Sequence, residues 1–130
     1  KDAGDEIDKM SCRPDAAVLC YAVATLGEYT HAGTKKNITL GDEALALKLT
    51  GEKNVPDDCP PMFIWHTAED DIVPVQNSLL MALALSEKKI PYEMHIFPEG
   101  WHGVGLCEET FPHTAQWSAL LVKWLEKLGF

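Results

Sequence analysis

Three short apolar runs, each followed by chain long enough for a helix, constrain this 130-residue sequence more than any other feature. The first, Ala16 to Ala24, opens after Pro14-Asp15 and is rich in small and β-branched residues. Such a run reads as a strand buried on both faces. The second is Met62-Phe63-Ile64-Trp65-His66, again bounded by prolines and turn residues. The third, Tyr92 to Phe97, alternates in the manner of a strand, with Tyr92, Met94 and Ile96 on one side and Glu93, His95 and Phe97 on the other. Strands spaced by helical stretches predict an α/β fold with a mostly parallel sheet and flanking helices.

The intervening segments fill in that outline. The polar stretch Leu26 to Leu40 reads as a long loop, and loops of that length are often functional. Asp42 to Leu49 predicts a short helix capped by Gly41-Asp42 and ended by Gly51. Val75 to Lys89 predicts a helix with Leu79, Leu80, Leu83 and Ala84 on one face and Lys88-Lys89 near the negative end of its dipole. Phe111 to Leu128 predicts an amphipathic helix with Trp117, Leu120, Leu121, Trp124 and Leu128 on one stripe and Gly129 as its stop.

Composition narrows the function. With 46% hydrophobic and 24% charged residues the chain has the means to build a core. The net charge of −9 repels phosphate backbones and anionic lipids, so neither nucleic acid nor membrane is an expected partner. Ala16 to Ala24 is far short of the ~20 residues of a membrane span, and no signal peptide is visible. A cytoplasmic location is the expectation, with Cys12, Cys20, Cys59 and Cys107 reduced. Their spacings contain no C-x-x-C, so a structural metal is not expected. The sequon Asn37-Ile38-Thr39 has meaning only in a secreted chain.

Two loops follow strand ends and carry chemistry. The Glu69-Asp70-Asp71 cluster precedes Ile72-Val73-Pro74; by itself it could simply favour the start of the next helix. Gly100-Trp101-His102-Gly103 places a histidine between glycines, where imidazole can exchange protons near neutrality, though a surface-turn histidine is equally ordinary. Taken together they give the chain order of a catalytic triad, acid and then base. In such a triad the carboxylate orients the imidazole, which deprotonates a serine.

The segments Pro60 to Val75, Ile90 to Phe97 and Gly100 to Leu106 resemble the C-terminal half of an α/β-hydrolase. The resemblance is to the esterase/lipase branch that includes acetyl-xylan esterase-like carbohydrate esterases, and Pro14 to Thr25 is similar to the strand after the nucleophile helix there. It implies a triad acid four residues before Pro74, which is Asp70, with Asp71 as the fallback, and a triad base at His102. It also implies a sugar-facing aromatic shelf from Trp101 and Trp65, although core packing is the commoner role for the latter. No metal or organic cofactor is implied.

One part of the pattern is missing. No G-x-S-x-G elbow occurs, and none of Ser11, Ser78, Ser86 and Ser118 has glycine two residues away on either side. The glycine-rich oxyanion loop is absent as well. A cysteine nucleophile is a poor substitute, since Cys107 lacks an elbow. Residues 1–130 are therefore expected to be the C-terminal portion of a single α/β-hydrolase domain, without its nucleophile-bearing N-terminal half. An opening KDAGDEIDKM, without an initial Met, fits that expectation. The expected activity is hydrolysis of small acyl or acetylated-sugar esters by a serine outside the chain, with little activity in the chain alone. The alternatives are a non-catalytic interaction domain of the same fold and a serine peptidase. The unpaired edge of the first strand predicts a homo-oligomer or pairing with an N-terminal segment.

Overall fold

The computed structural model describes residues 4–130, and Lys1 to Ala3 of the polar opening lie outside it. Three strands, β1 (Ala17–Cys20), β2 (Met62–Thr67) and β3 (Tyr92–Phe97), form one parallel sheet in the order β1-β2-β3. Ala17 pairs with Met62 and Cys20 with Trp65, while Met62 pairs with Tyr92 and Thr67 with Phe97. This register brings the carboxyl ends of β2 and β3 to one edge of the sheet, where ligand crevices form in open α/β folds.

The central strand builds the core because both its faces are covered. Ile64 packs with Val55, Cys59, Met81, Ala82, Leu85 and Ile90 on one side of the sheet. Phe63 and Trp65 pack with Phe97 and Trp124 on the other. The apolar run of β2 thus has the expected two-faced burial. That of β1 does not: the strand ends at Cys20 rather than Ala24, and Val18 is 39% exposed. It has a strand neighbour on one side only among the described residues.

Four helices complete the fold: α1 (Ala32–Thr39), α2 (Glu43–Leu49), α3 (Gln76–Glu87) and α4 (Gln116–Leu128), with a 3₁₀ turn at Gly51–Lys53. The first of them corrects the expected loop over 26–40. Its sequence AGTKKNIT has weak intrinsic helicity, so the caps are what the pattern lacked. His31 caps the N-terminus by accepting the Thr34 N–H, and Leu40 closes the other end in the left-handed region at φ 50°. As expected, Asp42 caps α2 through the Leu45 N–H. The expected start of α4 at Phe111 is too early: Pro112 to Ala115 form turns closed by short-range bonds such as Gln116 N–H to the His113 carbonyl, and the helix begins at Gln116. Gly129, at φ 91°, ends α4 where the sequence places the stop.

The inner face of α3 also differs from the expected one. Asn77, Ser78, Met81, Ala82 and Leu85 are buried, whereas Leu79 and Leu83 are 45% and 56% exposed. Two polar side chains with fixed partners face inward and turn the leucine pair out.

Candidate active site

Asp70 follows β2 by three residues and is buried among donors. Its Oδ1 accepts the backbone N–H groups of Ile72 at 3.0 Å and Val73 at 2.9 Å, which curls the loop around the carboxylate. Its Oδ2 accepts from His102 Nδ1 at 2.8 Å. Burial alone would raise the carboxyl's pKa, but the Val73 N–H, the His102 ring and the Ile72 N–H outweigh it and hold Asp70 below the ordinary carboxylate range. The acid cluster therefore does not cap the next helix; α3 begins without any side-chain cap.

His102 is carried by the loop after β3, and that loop is fastened to the end of β2. The Thr67 hydroxyl donates to the Gly100 carbonyl at 2.6 Å, and the Gly100 N–H donates to Glu69 at 3.3 Å. Gly100 sits at φ 129°, and a Cβ there would meet the Thr67 methyl at 3.1 Å, so glycine is required on both counts. The imidazole is held edge-on by Tyr21, with ring centroids 5.0 Å apart. Tyr21 leaves β1 at φ 38°, a strained value for an aromatic residue, and also packs edge-on against Trp65.

With Nδ1 facing a carboxylate, the ring proton belongs on Nδ1 and the lone pair on Nε2. The His102 side chain is 32% exposed, and Nε2 has no hydrogen-bond partner among the described residues. An imidazole of this kind, oriented by an anion behind it, is set up to take a proton from a group in front of it.

The other sequence candidates fall apart from this pair. Asp71 is exposed, and it is Asp70 that reaches His102. Trp101 is 57% exposed beside His102 and packs edge-on against Phe111. Trp65 is fully buried and stacked on Trp117 at 4.7 Å, so its place is in the core and it offers no shelf to a sugar. Burial, followed by the nearby Glu108, pushes the Cys107 thiol up, the wrong direction for a nucleophile. None of the serines is hydrogen-bonded to His102: Ser78 bonds His66 and Ser118 bonds the Ala115 carbonyl. No cluster of three metal-ligating side chains occurs among the described residues, and no helix there is long and apolar enough to cross a membrane. A surface cavity of about 310 Å³ is lined by residues of α1, of α2 and of the segments flanking them, with no residue of either loop in its lining.

Sequence reasoning did not find Tyr21, Thr67 or the partners of His66. Tyr21 lay inside an apolar run, and only its backbone angle sets it apart. His66 read as a packing residue on a strand, and no local signal reveals that it reaches Asp70.

Residues 17–128 match the prolyl oligopeptidase family. Over 114 residues the chain is 46% identical to endo-1,4-beta-xylanase B of Butyrivibrio fibrisolvens, covering 85% of this chain and 18% of that protein. It superposes on an acetyl ester-xyloside bifunctional hydrolase from Caldicellulosiruptor lactoaceticus with a TM-score of 0.92 and 44% identity, over 99% of this chain and 48% of the other. The carboxylesterase Cest-2923 of Lactobacillus plantarum gives a TM-score of 0.76 and 26% identity, over 88% of this chain and 45% of the other. The chain thus spans about half the length of these solved relatives and less than a fifth of the curated one. A parallel three-stranded sheet, an acid and a base on adjacent strand ends, and a match running from β1 to the end of α4 agree: the chain belongs to the prolyl oligopeptidase family of α/β-hydrolases.

Proposed function

We propose that this chain carries the acid and base of a serine carboxylic-ester hydrolase acting on small acyl esters, acetylated sugars among them. The observation that carries the reading is the 2.8 Å contact between Asp70 Oδ2 and His102 Nδ1, with the carboxylate pinned on its other oxygen. His102 Nε2 takes the hydroxyl proton of a serine supplied from outside these residues, and the serine oxygen attacks the ester carbonyl. The tetrahedral adduct collapses as the same imidazole returns the proton to the leaving alcohol. Water, deprotonated by His102, then cleaves the acyl-serine. Asp70 keeps the imidazole in its Nδ1–H tautomer and offsets its charge when protonated. Trp101, exposed beside the base, is where a sugar ring would stack. The acetyl ester-xyloside hydrolase and carboxylesterase relatives support this choice of substrate.

The test is turnover of p-nitrophenyl acetate and acetylated xylose. The 130-residue chain alone is expected to be inert, and a longer polypeptide bearing a G-x-S-x-G segment is expected to be active. In the latter, Asp70→Asn should lower kcat by about 10⁴-fold. Robust turnover by the short chain, abolished by His102→Ala, would show that the nucleophile is inside it.

The family match favours a second reading, a serine peptidase with the same pair. A prolyl p-nitroanilide offered to the longer polypeptide separates the two. The one-sided β1 edge supports a third, an interaction domain without chemistry. Inactivity of the longer polypeptide on all of these substrates is its expected result.

A further inference from the structure

Behind Asp70 lies a second histidine that the mechanism above does not use. His66, on β2, is fully buried, as is the Asp70 side chain it faces. Its Nε2 lies 2.9 Å from the Val73 carbonyl oxygen and 3.2 Å from Asp70 Oδ2. Its Nδ1 lies 2.7 Å from the hydroxyl of Ser78 on α3. Ser78 is thus hydrogen-bonded to His66, and His66 Nε2 lies against Asp70, a serine–histidine–carboxylate sequence sealed from any substrate.

The contacts leave one consistent protonation. A lone pair on Nε2 would point at two acceptor oxygens, a carbonyl and a carboxylate, so Nε2 carries the proton. Nδ1 then holds the lone pair and accepts the Ser78 O–H. Burial, the largest influence, drives the His66 pKa down against the pull of the Val73 carbonyl and of Asp70, and His102 pushes the same way as burial. A neutral ring follows from burial as it does from the geometry. Asp70 and, beyond it, His102 are the titratable groups facing His66.

We propose that His66 is a positioning residue for Asp70, its Nε2–H shared between the Val73 carbonyl and Asp70 Oδ2 and so adding a fourth donor to the carboxylate, with the Ser78 hydroxyl donating to the Nδ1 lone pair. Oδ2 is then held between two imidazole N–H groups, and Oδ1 between two backbone N–H groups. With every lone-pair direction spoken for, the carboxylate cannot rotate away from His102. The functional importance of this rests on reading Asp70 as the triad acid, while the hydrogen bond itself does not.

Imidazole ¹⁵N spectra and the carboxyl ¹³C titration of Asp70 test it on the protein, in wild type, His66→Leu, His66→Gln and Ser78→Ala. His66 is expected as the neutral Nε2–H tautomer at pH 6. The Asp70 midpoint is expected to rise by about one pH unit in His66→Leu, because a donor to the charged form is lost. His66→Gln, whose amide reaches the Nε2 position, should restore most of it. An unchanged Asp70 midpoint in His66→Leu, or a wild-type His66 protonated on Nδ1, overturns the proposal. Should His66→Leu fail to fold, Ser78→Ala decides: the Nε2–H tautomer is expected to persist, held by the Val73 and Asp70 oxygens, and its loss counts against the proposal. None of these readouts depends on turnover. Full activity in Asp70→Asn of the longer polypeptide would overturn the triad reading and leave the hydrogen bond standing.

Discussion

Asn77 uses all four of its hydrogen-bonding positions without exposing any of them. Its Oδ1 accepts the N–H groups of Ala24 and Thr25, both at 3.0 Å, and its Nδ2 donates to the carbonyls of Tyr29 at 2.8 Å and Pro74 at 2.9 Å. One side chain thereby ties the segment after β1 to the loop that carries the acid. Asn77→Ala would strand several buried backbone groups and should cost about 3 kcal/mol in urea denaturation; a loss below about 1 kcal/mol would mean that the segment is held by other contacts. The titrating side chains set the acid limit. His66 binds a proton less readily folded than unfolded, so stability is full above the unfolded histidine value of 6.5 and falls as pH drops below it. Asp70 is shifted below 3.8, so its contribution is present above that pH and is lost as pH falls through its lower folded value. Melts from pH 7.5 to 3 should show loss in both windows, with His66→Gln removing much of the upper one. An unaltered upper window in that variant would mean that the loss does not come from His66. Asp70 and His102 were legible in the sequence because residues in loops at strand ends stand out by chemistry. Asn77 and Ser78 were not, since a polar residue on a helix ordinarily faces water.

At the scale of elements, β2, β3 and α2 follow from local pattern and caps alone. The departures share a physical cause, which is that tertiary contacts outrank periodicity. Leu79 and Leu83 make a plausible apolar stripe on α3, but the bonds of Asn77 and Ser78 fix the rotation of the helix and bury Met81, Ala82 and Leu85 instead. Leu79→Gln and Leu83→Gln should therefore change stability by less than about 0.5 kcal/mol in the 130-residue chain. Leu85→Ala should cost about 2–5 kcal/mol, since Leu85 is fully buried in the cluster around Ile64. Equal losses at positions 79 and 85 would return the helix to the orientation its leucine spacing implies. α1 shows the reverse case: a weak helix-former becomes helical because His31 and Leu40 satisfy its ends.

For the molecule as a whole, the open side of β1 is the feature with the largest consequence. The N–H groups of Ala17 and Tyr21 donate to the Pro61 and Trp65 carbonyls of the β2 side. By the alternation of a parallel ladder, Val18 and Cys20 turn their backbone groups the other way, where no strand lies among the described residues. Unpaired edges of this kind recruit another strand or another molecule. In the proposed enzyme the recruited strand lies beside Tyr21, and through Tyr21 beside His102, which is where a serine has to arrive. Val18→Pro isolates this edge. It removes an outward N–H that β2 does not use, so the 130-residue chain should keep its fold and its Asp70–His102 contact. What it should lose is association. The unsubstituted chain is expected to grow in mass with concentration by light scattering, while Val18→Pro stays closer to a monomer. The same change in a longer, serine-bearing polypeptide should weaken the sheet at its centre and lower both stability and turnover. If the chain and its Val18→Pro variant are alike in mass at every concentration, and the longer polypeptide tolerates the proline, then β1 is a true outer edge and the serine must approach His102 from another direction.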